Sequence, residues 1–225
     1  MDFTYLSGVL MSFLVWLILY MHRKDLRPEM IFMGTLVSLC ALILEAFVWT
    51  KDWWQPKTIT GTVVGIEDAL LGFLVGGIIV SIYEEVFKDR LVHIRSKKEH
   101  HLKHFLIVIV LSIVIGNYTF FHLNMHSYYA SILSMSIPTL AIYFYRRDLI
   151  ILSLATGAMT TFISIPIYCI IFFFNPNFIN IWLHQNISGI MPLGIPIEDL
   201  VWFFVTGVFI SPLYEFWKGY RLEKL

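Results

Sequence analysis

Charged residues make up only 14% of this 225-residue chain, against about a quarter in soluble globular domains. Hydrophobic residues reach 58% and mean hydropathy is +0.74. That shortage of charge excludes a soluble globule and makes the bilayer the solvent. Neither sign is in surplus, with 16 Lys and Arg against 16 Asp and Glu. The basic excess that supplies most nucleic-acid affinity is therefore missing, and no nucleic-acid partner is expected. Cysteine is nearly absent: Cys40 and Cys169 both fall inside apolar runs, which excludes a disulfide framework and points to packing. There is no G-x-S-x-G elbow, no phosphate-cradling glycine loop and no C-x-x-C pair, so serine hydrolysis, nucleotide use and thiol redox chemistry lack support. Met1-Asp2 brings no basic segment ahead of the first apolar run, which is read as a permanent span rather than a cleaved signal.

What is abundant is apolar runs long enough to cross a bilayer, about 20 residues each. Segments near 3–20, 30–49, 64–87, 103–122, 127–145, 149–174 and 196–217 satisfy that length. The expectation is an all-α polytopic membrane protein of about seven helices, multi-pass in the cell membrane. Basic residues sort by loop. Arg23, Lys24 and Arg27 follow the first span, and Lys88, Arg90, Arg95, Lys97, Lys98 and Lys103 lie between the third and fourth. Arg146 and Arg147 follow the fifth, and Lys218, Arg221 and Lys224 follow the seventh, which leaves only Lys51 and Lys57 for the other side. By the positive-inside rule the N-terminus is outside and the C-terminus cytoplasmic. The uncharged segment 175–195 is expected to lie along the outer interface, and nothing suggests a separate soluble domain or low-complexity stretch.

The chain also repeats itself. Ile66-Glu67-Asp68 recurs as Ile197-Glu198-Asp199, Phe73 as Phe204, Gly76 as Gly207, and Tyr83-Glu84 as Tyr214-Glu215, all displaced by 131 positions. Arg23-Lys24-Asp25-Leu26 recurs as Arg146-Arg147-Asp148-Leu149 at a displacement of 123. The second copy thus carries about eight extra residues before its last helix. One membrane domain, 1–225, divides into a first three-helix repeat over 1–90, a basic cytoplasmic loop and linker helix over 91–125, and a second three-helix repeat over 126–225. An odd linker restores the starting side, so the repeats run parallel about a pseudo-twofold axis along the membrane normal, and their interface is the natural substrate site.

Acidic residues inside a span cost at least about 2.5 kcal/mol on insertion scales and mark function or a buried partner. Glu67-Asp68 and Glu198-Asp199 stand at the outer ends of spans three and seven; Glu84-Glu85 and Glu215 stand at their inner ends; Glu45 stands alone in span two. Glu67 and Glu84 are 17 positions apart, roughly 25 Å of helix, so inner and outer acids cannot share one reacting atom. The inner acids read as interfacial ion pairs with Lys88, Arg90 and Lys218. For the outer acids two readings stand: caps that favour the helix dipole, or carboxyls kept protonated by crowding in a low-dielectric site and used in acid catalysis. Glu45 has no counterpart at either displacement, since the positions are Tyr168 and Pro176; it is read as a partner of Lys51 or an indole, or as a catalytic or substrate-site residue.

His100, His101 and His104 sit in a basic segment and read as a solvated loop; His122 and His126 share only an i, i+4 spacing. No metal site is expected. Trp16, Trp49, Trp53, Trp54, Trp182, Trp202 and Trp217 mostly fall near expected interfaces and read as anchors. Phe73, Phe203 and Phe204 follow the acids and are candidates for stabilising a carbocation by cation–π attraction.

Pro196-Ile197-Glu198-Asp199 with Trp202-Phe203-Phe204, and the first-copy Gly65-Ile66-Glu67-Asp68, resemble the P-x-E-(E/D) motif of the lycopene cyclase domain. That domain occurs in bacterial heterodimeric, archaeal fused and fungal bifunctional carotenoid cyclases. The resemblance covers essentially the whole chain, and departs from the motif at Gly65, where proline is usual. It implies an isomerase of the intramolecular lyase type in carotenoid biosynthesis. An enzyme acid protonates the terminal double bond of lycopene, the next double bond attacks the cation, and proton loss leaves a β- or ε-ring. No cofactor is implied: flavin motifs and the aspartate-rich diphosphate motifs of intramembrane prenyltransferases are both missing. Glu67 and Glu198 are the implied proton donors or activators, tuned by Asp68 and Asp199, with Glu45, Phe73, Phe203 and Phe204 on the substrate. The partners are lycopene or a related acyclic carotenoid and the lipid bilayer, with self-association left open. Two rivals share parts of the plan. Small-solute transporters have the same three-one-three arrangement but carry a Pro-Gln pair in each unit, where this chain has Gln55-Pro56 once. Retinal photoreceptors need a lysine within the last span, where only Lys218 stands at its edge. A non-catalytic carotenoid-binding protein also fits.

Overall fold

The computed structural model describes residues 3–93 and 102–224, with backbone alone over 89–93 and 220–224. Arg95, Lys97, Lys98, His100 and His101 lie outside the described residues. The helices are α1 (Thr4–His22), α2 (Arg27–Asp52), α3 (Ile66–Phe87), α4 (Leu102–His122), α5 (Ser127–Tyr145), α6 (Leu149–Phe174) and α7 (Ile197–Lys218). Six of them are long and apolar enough to cross a membrane; α5 is 19 residues long but falls outside that set, its hydropathy lowered by Ser127, Ser131, Ser134, Ser136 and Thr139. The protein is all-helical as expected apart from a short antiparallel ribbon, which pairs β1 (Asp89–His93) with β2 (Tyr220–Lys224). It ties together the ends of α3 and α7, after Lys88 and Gly219 leave their helices in left-handed conformations.

Local chemistry sets the helix ends. Arg23 grips Asp25 through two bonds of 3.0 and 2.8 Å between α1 and α2, and Arg146 grips Asp148 at 2.8 and 2.7 Å between α5 and α6. Such forked contacts fix a tight turn that a single charge pair would leave loose. The Nδ1 of His126 accepts from the Tyr128 N–H at the start of α5, and its Nε2 lies 2.9 Å from the Asp52 carbonyl. Pro138 and Pro166 sit inside α5 and α6, tolerable where neighbouring helices and hydroxyls satisfy the freed carbonyls.

In a bilayer, helices associate through close packing of small residues rather than through hydrophobic exclusion. At the α2–α3 crossing, Gly76 lies against Gly34, and a carbon added at Gly34 would come within 2.6 Å of the Phe73 carbonyl. At the α6–α7 crossing, Gly207 lies against Gly157, and a carbon added at Gly157 would come within 2.7 Å of the Phe204 carbonyl. Ser38 Oγ donates to the Ala69 carbonyl at 2.7 Å in the first crossing; Thr161 Oγ1 donates to the Leu200 carbonyl at 3.3 Å in the second.

Three expectations are corrected here. The inner acids are not all interfacial: Glu85 pairs with Lys88 at 2.8 Å, but Glu84 and Glu215 are buried, and Glu29 of α2 is buried with them. One residue turns a helix by about 100°, so Glu85 faces outward where Glu84 faces the bundle. Tryptophan is largely interior rather than anchoring, with Trp16, Trp49, Trp53 and Trp182 all buried. The 175–195 segment is not wholly a surface stretch. It turns inward through three short 3-10 stretches, burying Phe178, Ile181 and Trp182. Backbone bonds from Gln55 to Ile181 (2.7 Å) and from Leu183 to Trp53 (2.9 Å) stitch it to the end of α2.

Candidate active site

The two acidic motifs start α3 and α7, and one residue separates their roles. Gly65 has an N–H, which donates to Asp68 Oδ2 at 2.7 Å and closes a capping box. Pro196 has none, so Asp199 is released from capping. The remaining oxygen of Asp68 accepts from Tyr5 Oη on α1 at 2.6 Å. Asp199 accepts from Tyr168 Oη on α6 at 2.6 Å and from Trp182 Nε1 at 2.9 Å. The helix-cap reading thus describes Asp68 but not Asp199.

Glu67 and Glu198 turn away from these aspartates. Glu67 Oε1 accepts from the Ile59 N–H at 2.5 Å, and Glu198 Oε1 accepts from the Ser188 N–H at 2.6 Å. Each pins the loop that precedes its helix. Both side chains are buried, and the Oε2 of each has no hydrogen-bond partner among the described residues.

Between the helices lies a cavity of about 490 Å³, within the 300–1,000 Å³ usual for small-ligand sites. All seven helices contribute to its wall, which is mostly apolar. Three carboxyls reach it: Glu45, Asp68 and Asp199. Glu45 opens a π-helical turn, Glu45–Trp49, a distortion that frequently marks functional sites. Its Oε2 accepts from Trp54 Nε1 at 3.1 Å. The indoles of Trp49, Trp53 and Trp202 form a cluster on the same wall, with centroids 5.4 to 6.1 Å apart.

Of the residues expected on the substrate, Glu45 and Phe203 line this cavity; Phe73 and Phe204 do not, because their stretch of helix is used in the glycine crossings. Of the four motif acids, Asp68 and Asp199 line it while Glu67 and Glu198 stand behind the wall. Sequence reasoning missed Tyr5, Tyr168 and Trp182, donors that orient Asp68 and Asp199, while Trp54 is the indole partner expected for Glu45. One signal was present: Tyr168 lies 123 residues after Glu45, the displacement at which Arg23-Lys24-Asp25-Leu26 recurs.

Carboxyls and indole faces in a mostly apolar cavity can pass a proton to a hydrocarbon and stabilise the cation that results.

The sequence profile described as Lycopene cyclase matches residues 2–86 and 126–217. Those two segments hold α1 to α3 and α5 to α7 respectively, and leave out β1, the undescribed loop and α4. No curated protein and no solved structure matches the chain. With most of its length matched, and with both acidic motifs inside the matched segments, the chain belongs to the lycopene cyclase family.

Proposed function

We propose that the chain cyclises the end groups of lycopene, or of a related acyclic carotenoid, to β- or ε-ionone rings inside the central cavity, without oxidation or reduction. The observation that carries this reading is the set of three carboxyls and four tryptophans on the wall of a mostly apolar cavity. A proton adds to the terminal double bond; the tertiary cation is attacked by the next double bond, which closes the ring. Loss of a ring proton then restores neutrality. Proton gain and loss balance, so the product is an isomer of the substrate. Asp68 and Asp199, each held by two donors, supply fixed negative charge beside the cation. The indole faces of Trp49, Trp53 and Trp202 supply the rest.

The architecture belongs to the same proposal. Seven spans form two parallel three-helix units joined by α4, with the N-terminus outside and the C-terminus cytoplasmic in a cell membrane. The glycine crossings, the Arg–Asp turns and the hydroxyl-to-carbonyl bonds that recur at displacements of 123 and 131 support the duplication. The loop charges support the orientation. On this plan the cavity is the interface between units, where repeat-built membrane proteins place their substrates.

Glu67 and Glu198 act at one remove, by holding the 57–65 and 184–196 loops that lead into α3 and α7. Glutamine keeps the accepting oxygen. Glu198→Gln is therefore expected to cyclise lycopene within about threefold of the unaltered chain, whereas Glu198→Ala, which frees the loop, loses about tenfold, in line with a lost charge-assisted hydrogen bond of about 1.5–3 kcal/mol. Carotenoid extraction from cells that accumulate lycopene and express each variant reads both. Abolished cyclisation in Glu198→Gln would put the proton on Glu198 itself. In the same cells, the unaltered chain should convert lycopene to ring-bearing carotenoids; unchanged lycopene beside folded protein in the membrane would overturn the proposed reaction.

A further inference from the structure

The three cavity carboxyls differ in what their oxygens are already doing. Both oxygens of Asp199 face donors, Trp182 Nε1 and Tyr168 Oη. Both oxygens of Asp68 face donors as well, Tyr5 Oη and the Gly65 N–H. A proton on an oxygen that already faces a donor weakens that bond, because a carboxylic hydroxyl accepts less strongly than a carboxylate oxygen. Glu45 is different: Trp54 Nε1 occupies Oε2, and Oε1 has no hydrogen bond among the described residues. The side chain lines the cavity, and Oε1 is the oxygen left to face it.

The backbone is built to place it there. Glu45 heads the π-helical turn of α2, and the Thr50 hydroxyl donates to the Glu45 carbonyl at 2.7 Å. The widened turn presents Glu45 and Trp49 to the same cavity. The carboxyl thus adjoins the indole cluster that would face a cation, and Asp68 is near enough to act on its charge. In the other half, the corresponding position is Tyr168, whose hydroxyl is committed to Asp199. The position that matches Glu45 in the second half therefore carries no carboxyl.

We infer that Glu45 is the proton donor of the cyclisation, its Oε1–H aimed into the cavity, while Asp68 and Asp199 remain acceptors that fix the geometry and oppose the cation. The inference rests on the proposed reaction. In the step itself the Glu45 O–H bond breaks and a C–H bond forms at the terminal alkene, whose electron pair is consumed. The neighbouring double bond then forms the ring C–C bond. The C–H bond beside the new cation breaks, its electrons become the ring double bond, and its proton returns to the Glu45 carboxylate.

The test uses the full chain in lycopene-accumulating cells and in membranes prepared from them. The unaltered chain comes first: if it forms no ring, the proposed reaction fails whatever Glu45 does. Given ring formation, Glu45→Gln is expected to reduce it at least 100-fold at equal membrane abundance, and Glu45→Asp to keep a measurable rate. Ring formation by Glu45→Gln within threefold of the unaltered chain would overturn the assignment. A second measurement needs no variant. Dicyclohexylcarbodiimide adds to protonated carboxyls in apolar sites, and peptide mass spectrometry locates the adduct. The expected adduct is on Glu45, with inactivation slowed by bound lycopene; labelling of Asp68 or Asp199 with Glu45 untouched would overturn the assignment.

Discussion

Asp199→Asn should reduce ring formation about 100- to 1,000-fold while leaving the protein in the membrane. The substitution is nearly isosteric, so packing around α7 is preserved. What changes is charge. Asp199 is buried, and its two oxygens accept from Tyr168 Oη and Trp182 Nε1. An amide there offers only one accepting oxygen, and the Trp182 N–H can only donate. The bond to Tyr168 must reverse, with the amide nitrogen donating to the phenol oxygen, and the fixed negative charge is lost. Removing a preorganised electrostatic stabiliser typically costs about 10²–10³ in rate. The measurement is the initial rate of ring formation in isolated membranes, normalised to protein. An Asp199→Asn variant as fast as the unaltered chain would mean that the cation forms elsewhere in the molecule.

A second large effect concerns the fold. Gly157→Leu should leave no folded protein that survives detergent extraction. The first added carbon would sit 2.7 Å from the Phe204 carbonyl oxygen and 2.7 Å from a Val208 methyl. The carbonyl belongs to helix backbone and cannot swing aside, so α6 and α7 must separate. Overpacking a tight contact commonly costs about 1–3 kcal/mol when side chains can adjust, and here the obstacle is rigid. Separation would also break the Thr161 and Ser153 bonds to α7, at 3.3 and 2.5 Å. Fluorescence-detected size-exclusion chromatography after mild heating reads the outcome. Gly116→Ala on α4 is the comparison: its added carbon would meet only the Ser134 side chain, at 3.3 Å, and a monodisperse peak should persist. A stable Gly157→Leu protein would contradict the close helix crossing.

The two effects separate what the sequence made legible from what it did not. Hydropathy places the helices because a bilayer leaves few alternatives for backbone polar groups, and the expected segments agree with α1 to α7 to within a few residues. The glycine contacts were visible as matched positions, since Gly76 and Gly207 recur at one displacement. The acidic motifs were visible for the same reason. The direction of each acid was not. Glu67 and Asp68 are neighbours, yet about 100° of helix rotation sends one behind the wall and the other into the cavity. No pattern of residue types states that rotation.

Long-range partners were equally hidden. Asp199 is held by Tyr168, 31 positions away, and by Trp182 from a segment read as a surface stretch. That segment is uncharged and rich in proline and glycine, which suits an exposed loop as well as an inward turn; only its pairing with Trp53 and Gln55 decides the matter. Glu29 escaped notice because it follows Arg27 and Pro28 at a helix start, where an acid is ordinary, although it is buried beside Glu84 and Glu215. Glu45 drew attention by lacking a counterpart, but the π-helical turn that presents it leaves no mark in residue spacing.

The most direct test of the account is conversion by the isolated protein. The purified chain is placed in lipid nanodiscs with lycopene, with no flavin, nicotinamide or metal added, in ordinary and in deuterated water. The account predicts ring-bearing products isomeric with lycopene in ordinary water and heavier by one deuterium per ring in deuterated water. Unchanged lycopene, or rings that carry no deuterium, would contradict it.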